Sequence, residues 1–307
     1  MKKQQRFIYL HLLGICFLGM QANAQQVGFT TENDAYLLKL EDAYYSNGIF
    51  LHLSYADQSK KNTKRVHRFE LGQQIFTPLK RNTRTPADID RPYAGYTYIQ
   101  YTRSWFNNEK AVLQLTGTLG IIGPASGGEG LQNTYHRWLK YAPFLGWRYQ
   151  ISNQLVLNTG VLYAHNLIAT KKFKWMGWGA AQLGTAFINA SVGTKMVYGL
   201  FNINQSSQLW NAAVEKKGMP KKEFFIYWNP KITAQGYNAT ISGGSKTAAD
   251  SAVTLHPKTF VFQNTIGLAY SEGRWAAQIE LVHQSRETTI QLNRHRYLGL
   301  QLQYRIN

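Results

Sequence analysis

Three short stretches carry side chains able to do hydrolytic chemistry. "TEND" sets Asn33 beside Asp34, "YYSNG" sets Ser46 beside Asn47, and "GGEGLQNTYHRWLKY" (127–141) holds His136 in a helix-capable segment. An imidazole suits proton abstraction near neutral pH. Asp34 offers a hard oxygen ligand for Ca²⁺, and the neighbouring amides and carbonyls offer more. Water activated by histidine, with a hard cation stabilising the oxyanion of an ester, is the simplest hydrolase these groups could build. The plainer readings are a solvated polar loop and a packed histidine. Other chemistries lack their motifs. Ser126 in "GPASGG" is not a nucleophile elbow, and neither H-E-x-x-H nor a Walker A loop occurs. The eight histidines are scattered, against a multi-histidine zinc site.

These residues matter only if the fold gathers them. The recurring signal is two-residue alternation, the period of a strand with unlike faces. In "RYLGLQLQYRIN", Leu298, Leu300, Leu302, Tyr304 and Ile306 face one way, and Gly299, Gln301, Gln303 and Arg305 the other. Residues 49–55 and 111–121 repeat the pattern. A soluble sandwich would alternate too. The runs, however, reach about 11 residues where sandwich strands have about 5–6. The 8 Trp, 19 Tyr and 15 Phe suit interfacial girdles. No segment after the N-terminal leader approaches the ~20 apolar residues of a membrane helix. The expected fold is therefore all-β: a transmembrane antiparallel up-and-down barrel with a short helix (about 129–141) in an extracellular loop. Strands are expected near 27–34, 44–55, 65–76, 93–105, 110–122, 154–165, 175–188, 191–203, 223–236, 258–271, 273–286 and 295–306. That gives twelve, an even number, as bacterial barrels have.

Strand parity sorts the connections. With both termini in the periplasm, 35–43, 77–92, 123–153, 189–190, 237–257 and 287–294 face outward. "TEND", "YYSNG", "LKRNTR" (79–84) and the His136 segment then meet at one rim. Residues 204–222 fit less well, as a long connection on the periplasmic side.

The N-terminus reads as an export signal: Lys2, Lys3 and Arg6, then an apolar "FIYLHLLGICFLGM", then "ANA" ending at Ala24. Residues 1–24 are expected to be removed, leaving a single barrel domain over 25–307. The only cysteine, Cys16, lies in this leader, so the remainder has no disulfide or thiol chemistry. Removing the leader's three basic residues lowers the net charge from +18 to +15. That excess implies an anionic partner, and export argues against nucleic acid.

The ordered blocks "TENDAYLL", "AYYSNGIFLHLSY", "DRPYAGYTYIQY", "GIIGPASGGEGLQNTYHRW" and "GWRYQISN" resemble the lipid A 3′-O-deacylase (LpxR) family, most densely in the first half. The resemblance implies a twelve-stranded outer-membrane barrel, expected as a monomer. It would remove the 3′ acyloxyacyl chain of lipid A with Ca²⁺ at the outer-leaflet side. It places His136 as general base, following Gln132 and Asn133, and Asp34 as a Ca²⁺ ligand. Asn33 would orient or complete the metal site, and Ser46, where a family member has threonine, would support it. A basic residue of the family falls on Lys80 or Arg81, and with Arg84 these could bind a lipid A phosphate. The ending "YRIN" departs from the aromatic end of many barrels. The competing readings are a barrel phospholipase or acyltransferase and a non-enzymatic pore or structural barrel. A soluble glycan-binding sandwich is the outside option.

Overall fold

The alternation that runs through the sequence becomes a closed wall in the computed structural model, which describes residues 25–38, 43–60, 63–81, 83–107, 110–214, 220–245 and 248–306. The expected export signal and parts of the basic runs (61–62 and 215–219) lie outside the described residues. Twelve strands follow in order: β1 (Gln25–Asn33), β2 (Tyr44–Lys60), β3 (Thr63–Thr77), β4 (Ala94–Asn107), β5 (Ala111–Ile122), β6 (Gln154–Ala169), β7 (Phe173–Gly184), β8 (Phe187–Leu200), β9 (Glu223–Asn238), β10 (Phe260–Glu272), β11 (Trp275–Gln284) and β12 (His295–Arg305). Each pairs antiparallel with its neighbours, and β1 closes on β12 from Gln26↔Arg305 to Asn33↔Leu298. Closure leaves no strand edge, which a sheet in lipid requires.

The two faces decide between barrel and sandwich. Leu51, Ile99, Leu119, Leu157 and Val192 point outward and are exposed, while Gln26, His52, Ser54 and Gln303 are buried inside. In water each exposed Leu or Ile would forgo about 1.5–3 kcal/mol of burial. In lipid that cost vanishes. Among the described residues no helix is long and apolar enough to cross a membrane.

Two sequence expectations shift. The β7–β8 turn falls at 185–186 rather than 189–190. The outward apolar positions are Ala181 and Leu183 before it and Ile188, Ala190 and Val192 after it, so the alternation flips phase between 183 and 188, and period alone does not say at which residue the chain turns. A tertiary contact does: Asn158 Oδ1 accepts from Ala186 N at 3.0 Å, and Thr185 N donates to Leu157 O at 3.0 Å.

The larger correction concerns the β8–β9 connection. It is no hanging loop; its described part, 201–214, folds into the barrel as a floor. Gln208 Nε2 donates to Gln303 Oε1 at 2.7 Å, Lys64 Nζ to Ala212 O at 2.8 Å, and Arg305 Nε to Ala213 O at 2.5 Å. Glu223 accepts from Ser207 Oγ and Gln208 N, both at 2.7 Å. Lys174 Nζ reaches Asn204 Oδ1 at 2.9 Å. Lys64 and Lys174, from basic runs at this end, thus serve the floor. Above it lies a cavity of about 580 Å³ lined by Glu32, Glu70, Glu280, Glu287, Lys195 and Lys231.

Candidate active site

The opposite end carries the loops, and among them is the helix α1 (Gly128–Trp138). Gly127 turns the chain into it at φ +74°, a left-handed conformation that favours glycine. Ser126, just before, has its carbonyl held by Gln73 Nε2 (3.0 Å) and Thr97 Oγ1 (2.8 Å) of the wall. The helix then meets β4 backbone to backbone. A Cβ on Gly128 would lie 2.8 Å from Gly95 Cα, and one on Gly95 would lie 3.0 Å from Gly128 Cα. Only glycine at both positions lets the helix dock this closely. The docked face consists of Gly128, Gln132 and His136, all buried, spaced by four residues as one helical face requires.

His136 is 2% exposed. Its Nδ1 lies 3.2 Å from an Arg81 guanidinium nitrogen and 3.2 Å from the Ala142 carbonyl. Phe144 and Tyr141 pack beside the ring, at 5.1 and 5.8 Å between centroids. Arg81 stacks over the same two rings. The helix is tied to the following chain by Trp147 Nε1 donating to Gln132 Oε1 (2.9 Å) and Phe144 N donating to Asn133 Oδ1 (3.1 Å). Since indole N–H is only a donor, this bond fixes the Gln132 amide, with Nε2 at the other end. That buried Nε2 has no hydrogen-bond partner among the described residues.

Strand register assembles a second group. Asn33 pairs across from Asn47, and its Nδ2 donates to Asn47 Oδ1 at 2.5 Å. Its Oδ1 accepts from Ala35 N at 2.6 Å, opening a short 3₁₀ turn over Ala35–Leu37. Asp34 is buried, and its Oδ2 accepts from Ala43 N at 2.8 Å. Ser46 occupies the irregularity between Tyr45 and Asn47 in the β2–β3 pairing. It is fully buried, with Oγ 3.4 Å from Ile75 O.

So His136 sits with Arg81, and Asn33, Asp34 and Asn47 sit together with Ser46 in the adjoining strand. Lys80 instead pairs with Asp88 at 2.5 Å and is exposed. This lysine pulls the Asp88 carboxyl down to about 2, helped by backbone N–H groups of Thr85 and Arg84. Between the two basic candidates, the contact to His136 belongs to Arg81.

Residues within "DRPYAG", given no role by motif or spacing, hold these loops in place. Asp90 accepts from Tyr44 O–H (2.7 Å), Leu79 N (3.0 Å) and Leu292 N (3.1 Å), tying three loops together. Arg91 is fully buried, 3.3 Å from Glu287 and stacked 3.9 Å over Phe76. Burial lowers its guanidinium pKa, and the Glu287 carboxylate opposes that shift. An Asp-Arg-Pro sequence at a strand entrance is a visible signal, but its partners lie up to about 200 residues away.

The donor chemistry of the Asn33–Asp34 group fits a hard cation. Its side chains present carboxylate, amide and hydroxyl oxygens. No cluster of three or more His, Cys, Asp or Glu suited to a metal occurs among the described residues.

A family model described as outer membrane protein LpxR matches residues 7–306. The structure of LpxR from Salmonella typhimurium aligns with TM-score 0.76 at 16% identity, covering 91% of this chain and 99% of that one. The beta domain of the Bordetella autotransporter Brka (TM-score 0.49, 7% identity, 92% and 99% covered) and the KdgM porin (0.40, 8%, 91% and 98%) are more distant barrels. No curated protein sequence matches the chain. A helix-bearing, twelve-stranded barrel with a family match along nearly its whole length leads to one assignment: the chain belongs to the LpxR family of outer-membrane proteins.

Proposed function

We propose that this chain is a lipid A 3′-O-deacylase that hydrolyses the ester of the acyloxyacyl chain with water activated by His136. The supporting observation is the polar, buried face of α1, which sets His136 beside Arg81 at the loop end of a barrel of this family. Neutral imidazole has one donor and one acceptor nitrogen, so a base acting through Nε2 needs its proton on Nδ1. The Ala142 carbonyl accepts that proton's hydrogen bond. Arg81 can donate only to a bare Nδ1, the unreactive tautomer. A substrate phosphate that draws the guanidinium away therefore favours the reactive one.

In the reaction, Nε2 removes a proton from water as the hydroxide oxygen bonds to the acyl carbon. The ester C–O bond then breaks, and the proton passes to the departing sugar oxygen. The products are a free acid and a 3′-hydroxyl. Gln132 Nε2, one turn before His136, would donate to the ester carbonyl oxygen as it gains charge. Asp34, with oxygens of Asn33, Asn47 and Ser46, would hold Ca²⁺, which when bound supplies positive charge for that oxyanion.

The test is mass spectrometry of lipid A from cells making the wild type or His136→Ala. Loss of one acyloxyacyl group with the wild type alone supports both reaction and base. An unchanged lipid A profile with folded wild type and added Ca²⁺ refutes the reading. A lysophospholipid product would move the phospholipase alternative ahead. The floor built by 201–214 argues against a simple pore.

A further inference from the structure

α1 has three faces where a helix on a soluble protein has two. Gly128, Gln132 and His136 dock on the barrel, and Glu129, Asn133, Thr134 and Arg137 form a polar side. Leu131, Tyr135 and Trp138 make a third stripe, spaced four and three residues apart, and all are exposed. Trp138 is 79% exposed, and Leu139, Tyr141 and Leu145 extend the apolar surface beyond the helix end. At 100° per residue this stripe lies about 90° from the docked face.

We infer that this stripe is inserted sideways into the outer leaflet, so that the helix carrying His136 is anchored in lipid. Two observations choose lipid over a protein partner. The stripe belongs to the connection between β5 and β6, whose Leu119, Leu155 and Leu157 face the membrane and are exposed like the stripe itself. The bilayer surface therefore continues from the wall into this loop. Arg137, Lys140 and Arg148 stand exposed around the apolar groups, as on interfacial helices that pair an apolar face with cations for anionic headgroups. Tyr135, Trp138 and Tyr141 are the residue types that favour the headgroup boundary. Anchoring would present His136 to ester bonds lying at that depth, so the substrate need not leave the leaflet. The inference rests on membership of an outer-membrane family and is independent of the deacylase reading.

The chain's only cysteine is Cys16, so in a Cys16→Ser background one introduced cysteine can carry an environment-sensitive fluorophore. Trp138→Cys, Leu139→Cys and, on the polar side, Glu129→Cys are labelled and placed in phosphatidylcholine nanodiscs. Folding of each is checked by heat-modifiable electrophoretic mobility. The expected result is quenching at 138 and 139 at least threefold stronger by doxyl-labelled lipid than by aqueous iodide, with the opposite order at 129. Iodide quenching at 138 and 139 equal to that at 129 would overturn the inference. So would shielding from both quenchers, which would mean that protein covers the stripe, as in a dimer.

Discussion

Replacing Gly128 by alanine should move α1, and with it His136, without touching any polar group. The new Cβ would sit 2.8 Å from Gly95 Cα, whereas ordinary contact begins at 3.4 Å. The shortfall of about 0.6 Å falls on backbone, where no side chain can rotate away to absorb it. Gly95 is held in β4 opposite Ile75 of β3, and both belong to the closed wall, so α1 must retreat. His136, two turns further along, retreats with it. Misplacement of a catalytic group by 1 Å can cost ~10²-fold, so the smaller shift should lower kcat by roughly tenfold, or about 1.4 kcal/mol in the barrier. The assay is the initial rate of fatty-acid release from lipid A micelles, with barrel folding checked by electrophoretic mobility. Gly130→Ala is the control, since its Cβ would meet nothing within 4 Å. A helix-interior alanine there should add ~0.5–1 kcal/mol of local stability and leave the rate intact. If Gly128→Ala were as active as wild type, close docking of α1 would not be what positions the base.

Gln132→Leu removes the buried amide and should reduce kcat about 10²-fold, with KM little changed, if Nε2 serves the oxyanion; steady-state kinetics would show an equal loss in kcat and kcat/KM. Arg81→Ala should raise KM for bis-phosphorylated lipid A more than for its monophosphorylated form, whereas Lys80→Ala should affect both weakly, since Lys80 is occupied by Asp88. The Lys80–Asp88 contact also has a defined pH window. The folded carboxyl lies at about 2, below its ordinary 3.8, so its contribution is fully present above pH 3.8 and is lost as pH falls through about 2. Proteolysis by pepsin across this range should cut the 77–92 loop faster in wild type at pH 2 than at pH 4 after correction for pepsin's own profile, and Asp88→Asn should flatten that difference. Finally, Arg305→Ala removes donors to Ala213 O, Gly273 O and Ser271 Oγ and should loosen the floor. Planar-bilayer recordings should detect current with this variant and little with wild type.

What the sequence determined by itself is the wall. Side-chain period in a strand is set by the local pleat, so twelve alternating runs such as 298–306 specify which residues face lipid without knowledge of any partner. Local chemistry likewise marked Asn33, Asp34, Ser46 and His136, and strand parity placed them at one end. The tertiary structure decided what those residues touch. Arg81 meets His136 across 55 residues, a pairing set by two loops of unequal length and invisible in spacing. Gln132 stands out only once Trp147 has claimed one end of its amide. The segment 204–214 lacks periodicity, and the partners that make it a floor, Lys64, Gln303 and Arg305, come from strands that only barrel closure brings around it. The β7–β8 turn lies at 185–186 rather than 189–190 because the contact from Asn158 that ends the strand is long-range, while the local sequence shows only a phase flip between Leu183 and Ile188. Periodicity is a property of the backbone and can be read locally. Convergence of loops depends on register and closure, which are set by the whole chain at once.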